Sequence, residues 1–102
     1  MIPYKVALFA RLEARPGKEN EVAELLEAGL AMARKEPTTP LWFALRLGPR
    51  TFGVFDAFAD EHGRQTHLTG PIAQALIAKT PELFTGPPAI EPLEVLGSKQ
   101  PG

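Results

Sequence analysis

An α+β fold with its elements in the order β-α-β-β-α-β is what this sequence predicts, on three observations. Residues 19–35 carry apolar side chains at helical spacing. Two β-rich runs flank Gly48-Pro49-Arg50, the pattern of an antiparallel hairpin. Shorter strand-like runs stand near both ends of the chain. At 102 residues this is one domain. A chain of that size buries only ~60–65% of the surface its unfolded form exposes.

Composition removes several function classes. Apolar residues make up 44% and charged residues 23%, as in an ordinary globular protein. The net charge is −1 with no basic block, so a nucleic-acid footprint is not expected. No apolar run approaches the ~18–20 residues of a membrane span. Lys5, Arg11 and Glu13 interrupt the start of the chain, which is read as a strand rather than a signal peptide. The chain has no Cys, which excludes disulfides, thiolate catalysis and Cys-ligated metals and makes the cytoplasm the expected location.

The elements follow in order. In Lys5–Ala14, Val6, Leu8, Ala10 and Leu12 fall on one face, and Ala7, Phe9, Arg11 and Glu13 on the other, the period of a strand. Arg15-Pro16-Gly17-Lys18 is a turn. Glu19–Lys35 is a helix buried along Val22, Leu25, Leu26, Gly29, Leu30 and Ala33, with Arg34 and Lys35 in its last turn, and Glu36-Pro37 ends it. Leu41–Leu47 and Thr51–Phe58 are the hairpin strands, each apolar on both faces, so both faces of the sheet are expected to be covered. Asp60 caps a helix running to about Leu68, in which Gly63 costs up to ~1 kcal/mol against Ala. Gly70-Pro71 restarts the helix, with Ile72, Leu76, Ile77 and Leu83 as its buried stripe. Ile90–Leu96 is a last strand, placed at a sheet edge by Pro92.

This order is the ferredoxin-like arrangement, a four-stranded antiparallel sheet with helices on one face. The domain spans residues 1–97, and 98–102 are expected to be a disordered tail. The helices leave one apolar face without cover, and the expected partner is a second copy of the chain, joined sheet to sheet.

Over roughly Lys5 to Leu96 the chain resembles the antibiotic biosynthesis monooxygenase (ABM) group of dimeric α+β barrel proteins. The matching pieces are Arg15-Pro16-Gly17-Lys18-Glu19, the strand Leu41–Leu47, Val54-Phe55-Asp56-Ala57-Phe58-Ala59-Asp60, and His67-Leu68 before Gly70-Pro71. Asp56 stands at the family's acidic position, Phe58 where the family has Trp, and His67 at its His. The resemblance implies a cofactor-independent oxygenase acting on a small phenol or quinol, with a non-catalytic dimeric small-molecule-binding or stress-associated protein of the same fold as the alternative. The haem-degrading branch places an axial His about three helical turns beyond the position of His67, where this chain has none.

The candidate catalytic residues are His67 as general base, with Asp56 and Arg46 as orienter and anchor. Arg46 and Asp56 are charges inside apolar strands, and each needs a partner. An odd connecting loop puts them on one face, and an even loop on opposite faces. Trp42, Phe9, Phe55, Phe58 and Arg11 are the candidate substrate-binding residues, and core packing is the alternative for the aromatics. His62 and His67 are five residues apart, off register for one helix face, so no metal site is expected. With no dinucleotide or phosphate fingerprint, no cofactor is expected either, and an organic substrate would supply its own electrons.

Overall fold

A computed structural model describes residues 3–100. Residues 101 and 102, part of the expected tail, lie outside the described residues. The elements are β1 (Val6–Glu13), α1 (Glu19–Ala33), β2 (Leu41–Arg46), β3 (Thr51–Phe58), α2 (Glu61–Leu68), α3 (Pro71–Leu83) and β4 (Ala89–Glu94). The strands form one antiparallel sheet in the order β2-β3-β1-β4, the ferredoxin-like topology. Pro92 sits on the edge strand β4, where its missing N–H breaks no central ladder.

Local chemistry accounts for most boundaries. Gly17, at φ 85°, makes the turn between β1 and α1, a left-handed geometry costly for other residues. α1 ends two residues earlier than expected: Lys35 N–H bonds to Met32 O and Glu36 N–H to Ala33 O, so the chain tightens just past Ala33 ahead of Pro37. Arg34 and Lys35 therefore follow the last turn instead of lying in it. Asp60 Oδ1 accepts from Gly63 N–H at 2.9 Å, capping α2 as expected. Pro71 opens α3.

The helices cover the sheet face that carries Leu12, Phe52 and Val54, which pack against Val22, Leu26, Ile72, Leu76 and Leu83. Two residues expected to be buried are not. Leu30 is 40% and Ile77 64% exposed: Leu30 stands at the margin of the arc of Val22, Leu26, Gly29 and Ala33, and Ile77 lies beyond the arc of Ile72, Leu76 and Leu83. On the opposite sheet face Phe43, Phe55 and Phe9 occupy one register row across β2, β3 and β1, and the Phe43 and Phe55 rings stack. The Phe9 ring fills the space over Gly53, where an added Cβ would stand 2.9 Å from it. Phe43, Leu45 and Leu47 remain 48%, 37% and 44% exposed.

Candidate functional site

The hairpin register places Asp56. Arg46 pairs with Phe52 and Trp42 with Asp56, so an odd number of residues, 47 to 51, lies between the paired Arg46 and Phe52. Arg46 and Asp56 accordingly share the helix-covered face, yet they do not meet, since Trp42 stands opposite Asp56. The Arg46 guanidinium turns to the hairpin loop instead, bonding to Gly48 O and Pro49 O and lying over the Phe52 ring at 4.9 Å. Asp56, 2% exposed at the centre of the sheet, needs another cation.

The partner it finds comes from α2. Gly63 lets the first turn approach the α1–β2 segment so closely that an added Cβ would stand 2.8 Å from Thr38 O. One turn later His67 projects between that segment and the sheet. Its Nε2 lies 2.8 Å from Asp56 Oδ2, and its Nδ1 lies 2.7 Å from Glu36 Oε1. Thr39 Oγ1 donates to the same Glu36 oxygen at 2.9 Å and lies 3.4 Å from Nδ1. Phe58 is fully buried, its ring 5.5 Å from the imidazole.

Two carboxylates around one imidazole set the electrostatics. Burial alone would push the His67 ring down, but hydrogen bonds to Asp56 and Glu36, with their negative charge, outweigh it, and its pKa stands above the ordinary 6.5. Burial lifts the Asp56 carboxyl above the usual 3.8. The hydrogen bond and positive charge of His67 offset part of that rise, and the charge of Glu36 adds to it. Among the described residues, Asp56 Oδ1 and Glu36 Oε2 are buried without a hydrogen-bond partner.

Asp56 and His67 form part of the wall of a cavity of about 230 Å³ between the sheet and the helices. Leu8, Ala10, Val54 and Ile90 supply its sheet side, Leu68, Ile72, Ala73, Leu76 and Ile77 its helix side, and Pro87 and Pro88 one rim. The arrangement is an apolar chamber with one acidic corner. Such a chamber suits a small, flat, mostly apolar molecule that brings a hydrogen-bond donor to Asp56. No group of three or more His, Asp or Glu among the described residues is placed to hold a metal ion.

The structure thus brings together His67 and Asp56, and separates both from Arg46. None of Trp42, Phe9, Phe55, Phe58 and Arg11 lines the chamber. Phe9, Phe55 and Arg11 lie on the opposite sheet face, with Arg11 5.6 Å over the Phe9 ring. The Phe58 ring lies tilted against the His67 imidazole, and Trp42 packs against Gly29 of α1. Sequence reasoning missed Glu36, which it took only as part of a helix stop. The signal available was an acidic residue held by a following proline at the end of a helix.

No family model matches the chain, and no curated protein matches it. Solved structures do. A protein of unknown function from Nitrosomonas europaea is 55% identical with a TM-score of 0.94, over 97% of this chain and 96% of that one. A protein from Mycobacterium tuberculosis is 23% identical with a TM-score of 0.80, over 94% of this chain and 99% of that one. A candidate antibiotic biosynthesis monooxygenase from Caulobacter crescentus is 19% identical with a TM-score of 0.78, over 94% of this chain and 93% of that one. No helix among the described residues is long and apolar enough to cross a membrane.

Proposed function

From the premise that the chain belongs to the same family as the Nitrosomonas europaea protein of unknown function and has the fold of the antibiotic biosynthesis monooxygenase group, we propose that it is a small oxygenase of a phenol or quinol that uses neither metal nor flavin. The observation that carries this reading is the apolar chamber walled by a buried Asp56–His67 pair in which one Asp56 oxygen has no hydrogen-bond partner among the described residues. Both ring nitrogens of His67 face carboxylates. The proton acceptor in this reading is therefore Asp56 Oδ1, and His67 positions it.

Asp56 takes the proton of a substrate hydroxyl. The phenolate left behind is a far better electron donor than the phenol, and it reduces dioxygen, the second substrate. For a quinol the balance is quinol plus dioxygen to hydroxyquinone plus water. The quinol supplies all four electrons, one oxygen atom enters the ring, and the other leaves as water. The raised carboxyl pKa suits Asp56 to this step, since a more basic carboxylate is a better acceptor. The chamber is smaller than the ~300–1,000 Å³ of drug-sized sites, which favours a substrate of one or two rings.

We further propose that a second copy of the chain covers the open sheet face, through Phe43, Leu45 and Leu47. A second reading, binding without turnover, is favoured by the same pairing of both His67 nitrogens, which leaves no free base on the ring. Oxygen consumption with a panel of hydroquinones separates the two. Turnover in the wild type that is lost in Asp56→Asn supports the oxygenase. Saturable binding of a hydroquinone with no oxygen uptake by the wild type refutes it.

A further inference from the structure

Glu36 has no part in the chemistry proposed above, yet its contact with the His67 ring is the shorter of the two, 2.7 Å against 2.8 Å. A neutral imidazole carries one N–H. With two ionised carboxylates at this range, a neutral ring would press one nitrogen lone pair against a carboxylate oxygen. The geometry therefore fits an imidazolium that donates in both directions. Glu36 Oε1 is itself held by the Thr39 hydroxyl, and Thr39 N–H bonds back to Glu36 O at 3.2 Å, so the acceptor for Nδ1 is fixed by its own turn.

The charged groups facing the ring are Asp56 from β3 and Glu36 from the segment after α1. Leu8 of β1 and Ile72 of α3, at the same chamber wall, are apolar, and Phe58 lies against the ring. Among the described residues Glu36 is thus the one ionic partner of His67 besides the proposed proton acceptor.

We propose that Glu36 is a positioning residue of this site: its carboxylate holds the proton on Nδ1 of His67, committing Nε2–H to Asp56 Oδ2 and leaving Asp56 Oδ1 as the carboxylate oxygen that the ring does not engage. Its bearing on a ligand rests on the reading of the chamber as the substrate site. Its hold on the imidazole does not.

The test is the ¹⁵N spectrum of the His67 ring, titrated in the wild type, Glu36→Gln and Glu36→Asp. In the wild type both ring nitrogens carry protons through neutral pH. In Glu36→Gln the titration midpoint falls by about one pH unit or more, the effect of losing an adjacent opposite charge. Glu36→Asp keeps the charge but draws it back by one methylene, and it gives a smaller fall. Should Glu36→Gln fail to fold, Glu36→Asp decides alone. A midpoint equal to that of the wild type in the variants that fold overturns the proposal, as does a wild-type ring that is neutral at neutral pH. Hydroquinone is then added to the wild type as a probe. Absence of any hydroquinone shift at His67 overturns the substrate reading of the chamber, while the ring titration still decides the role of Glu36.

Discussion

Replacing Gly63 by Ala should destabilise this protein, although helix propensity says the reverse. Ala in a helix interior gains up to ~1 kcal/mol over Gly. Here the new methyl would stand 2.8 Å from Thr38 O, a backbone atom, and 3.6 Å from both Asp60 Oδ1 and Phe58 Cβ. Overpacking a filled site costs ~1–3 kcal/mol. The upper part of that range applies, because Thr38 cannot retreat without moving its buried neighbour Thr39 and, through it, Glu36. The net loss is then about 1–2 kcal/mol. Urea unfolding followed by circular dichroism, at one protein concentration, should show the midpoint lowered by roughly 1 M for a slope of ~1–2 kcal/mol/M. A midpoint equal to or above that of the wild type would mean that α2 can move off the α1–β2 segment freely, and the account of how His67 is placed would be wrong.

Four further outcomes follow from the same geometry. The folded pKa of His67 is raised, so the stability it contributes is complete below the ordinary 6.5 and is lost as pH rises through the folded value. The stability difference between wild type and His67→Gln should shrink toward alkaline pH, and a difference that grows there contradicts the ion triad. His67→Ala leaves the buried Asp56 and the half-buried Glu36 without their shared partner and should cost ~3–5 kcal/mol in urea melts, whereas a loss under ~1 kcal/mol would place those carboxylates in solvent. Asp56→Asn keeps an acceptor for Nε2 but removes the base, so oxygen uptake with a hydroquinone substrate should fall roughly 10²–10⁴-fold, and an undiminished rate excludes Asp56 as acceptor. Phe43→Glu puts a charge on the open sheet face and should halve the mass seen by light scattering, and an unchanged mass would move the interface elsewhere.

Much of the fold was legible because its signals are local. The helical spacing of 19–35, the cap at Asp60 and the Gly70-Pro71 break each need only neighbouring residues. What was not legible depends on three-dimensional placement. Helical spacing shows which way a helix faces but not how wide its buried arc is, hence the exposure of Leu30, whereas Ile77 lies off the face that Ile72, Leu76 and Leu83 define. Arg46 and Asp56 were recognisable as misplaced charges, and sharing a face was a matter of loop parity. Sharing a face is still not adjacency, and Trp42 fills the position across from Asp56. The His67 contacts depend on how closely α2 approaches the turn after α1, which Gly63 permits and no linear pattern encodes.

The alternation along β3 ties the two faces of the sheet to one register. Val54 and Asp56 line the chamber, while Gly53 and Phe55 belong to the open face. A slip of one residue would turn Asp56 away from His67 and drive Phe55 into the chamber. It would also bring a side chain to the place of Gly53, under the Phe9 ring, where no Cβ fits. The aromatic row on the open face and the ion triad on the covered face thus exclude the same alternative pairing. This accounts for aromatics that line no pocket lying so near a candidate site: Phe9 and Phe55 act on Asp56 by fixing the strand that presents it. A partner copy packed on that row would stiffen β3 further, so the proposed dimer and the proposed chemistry meet in a single strand.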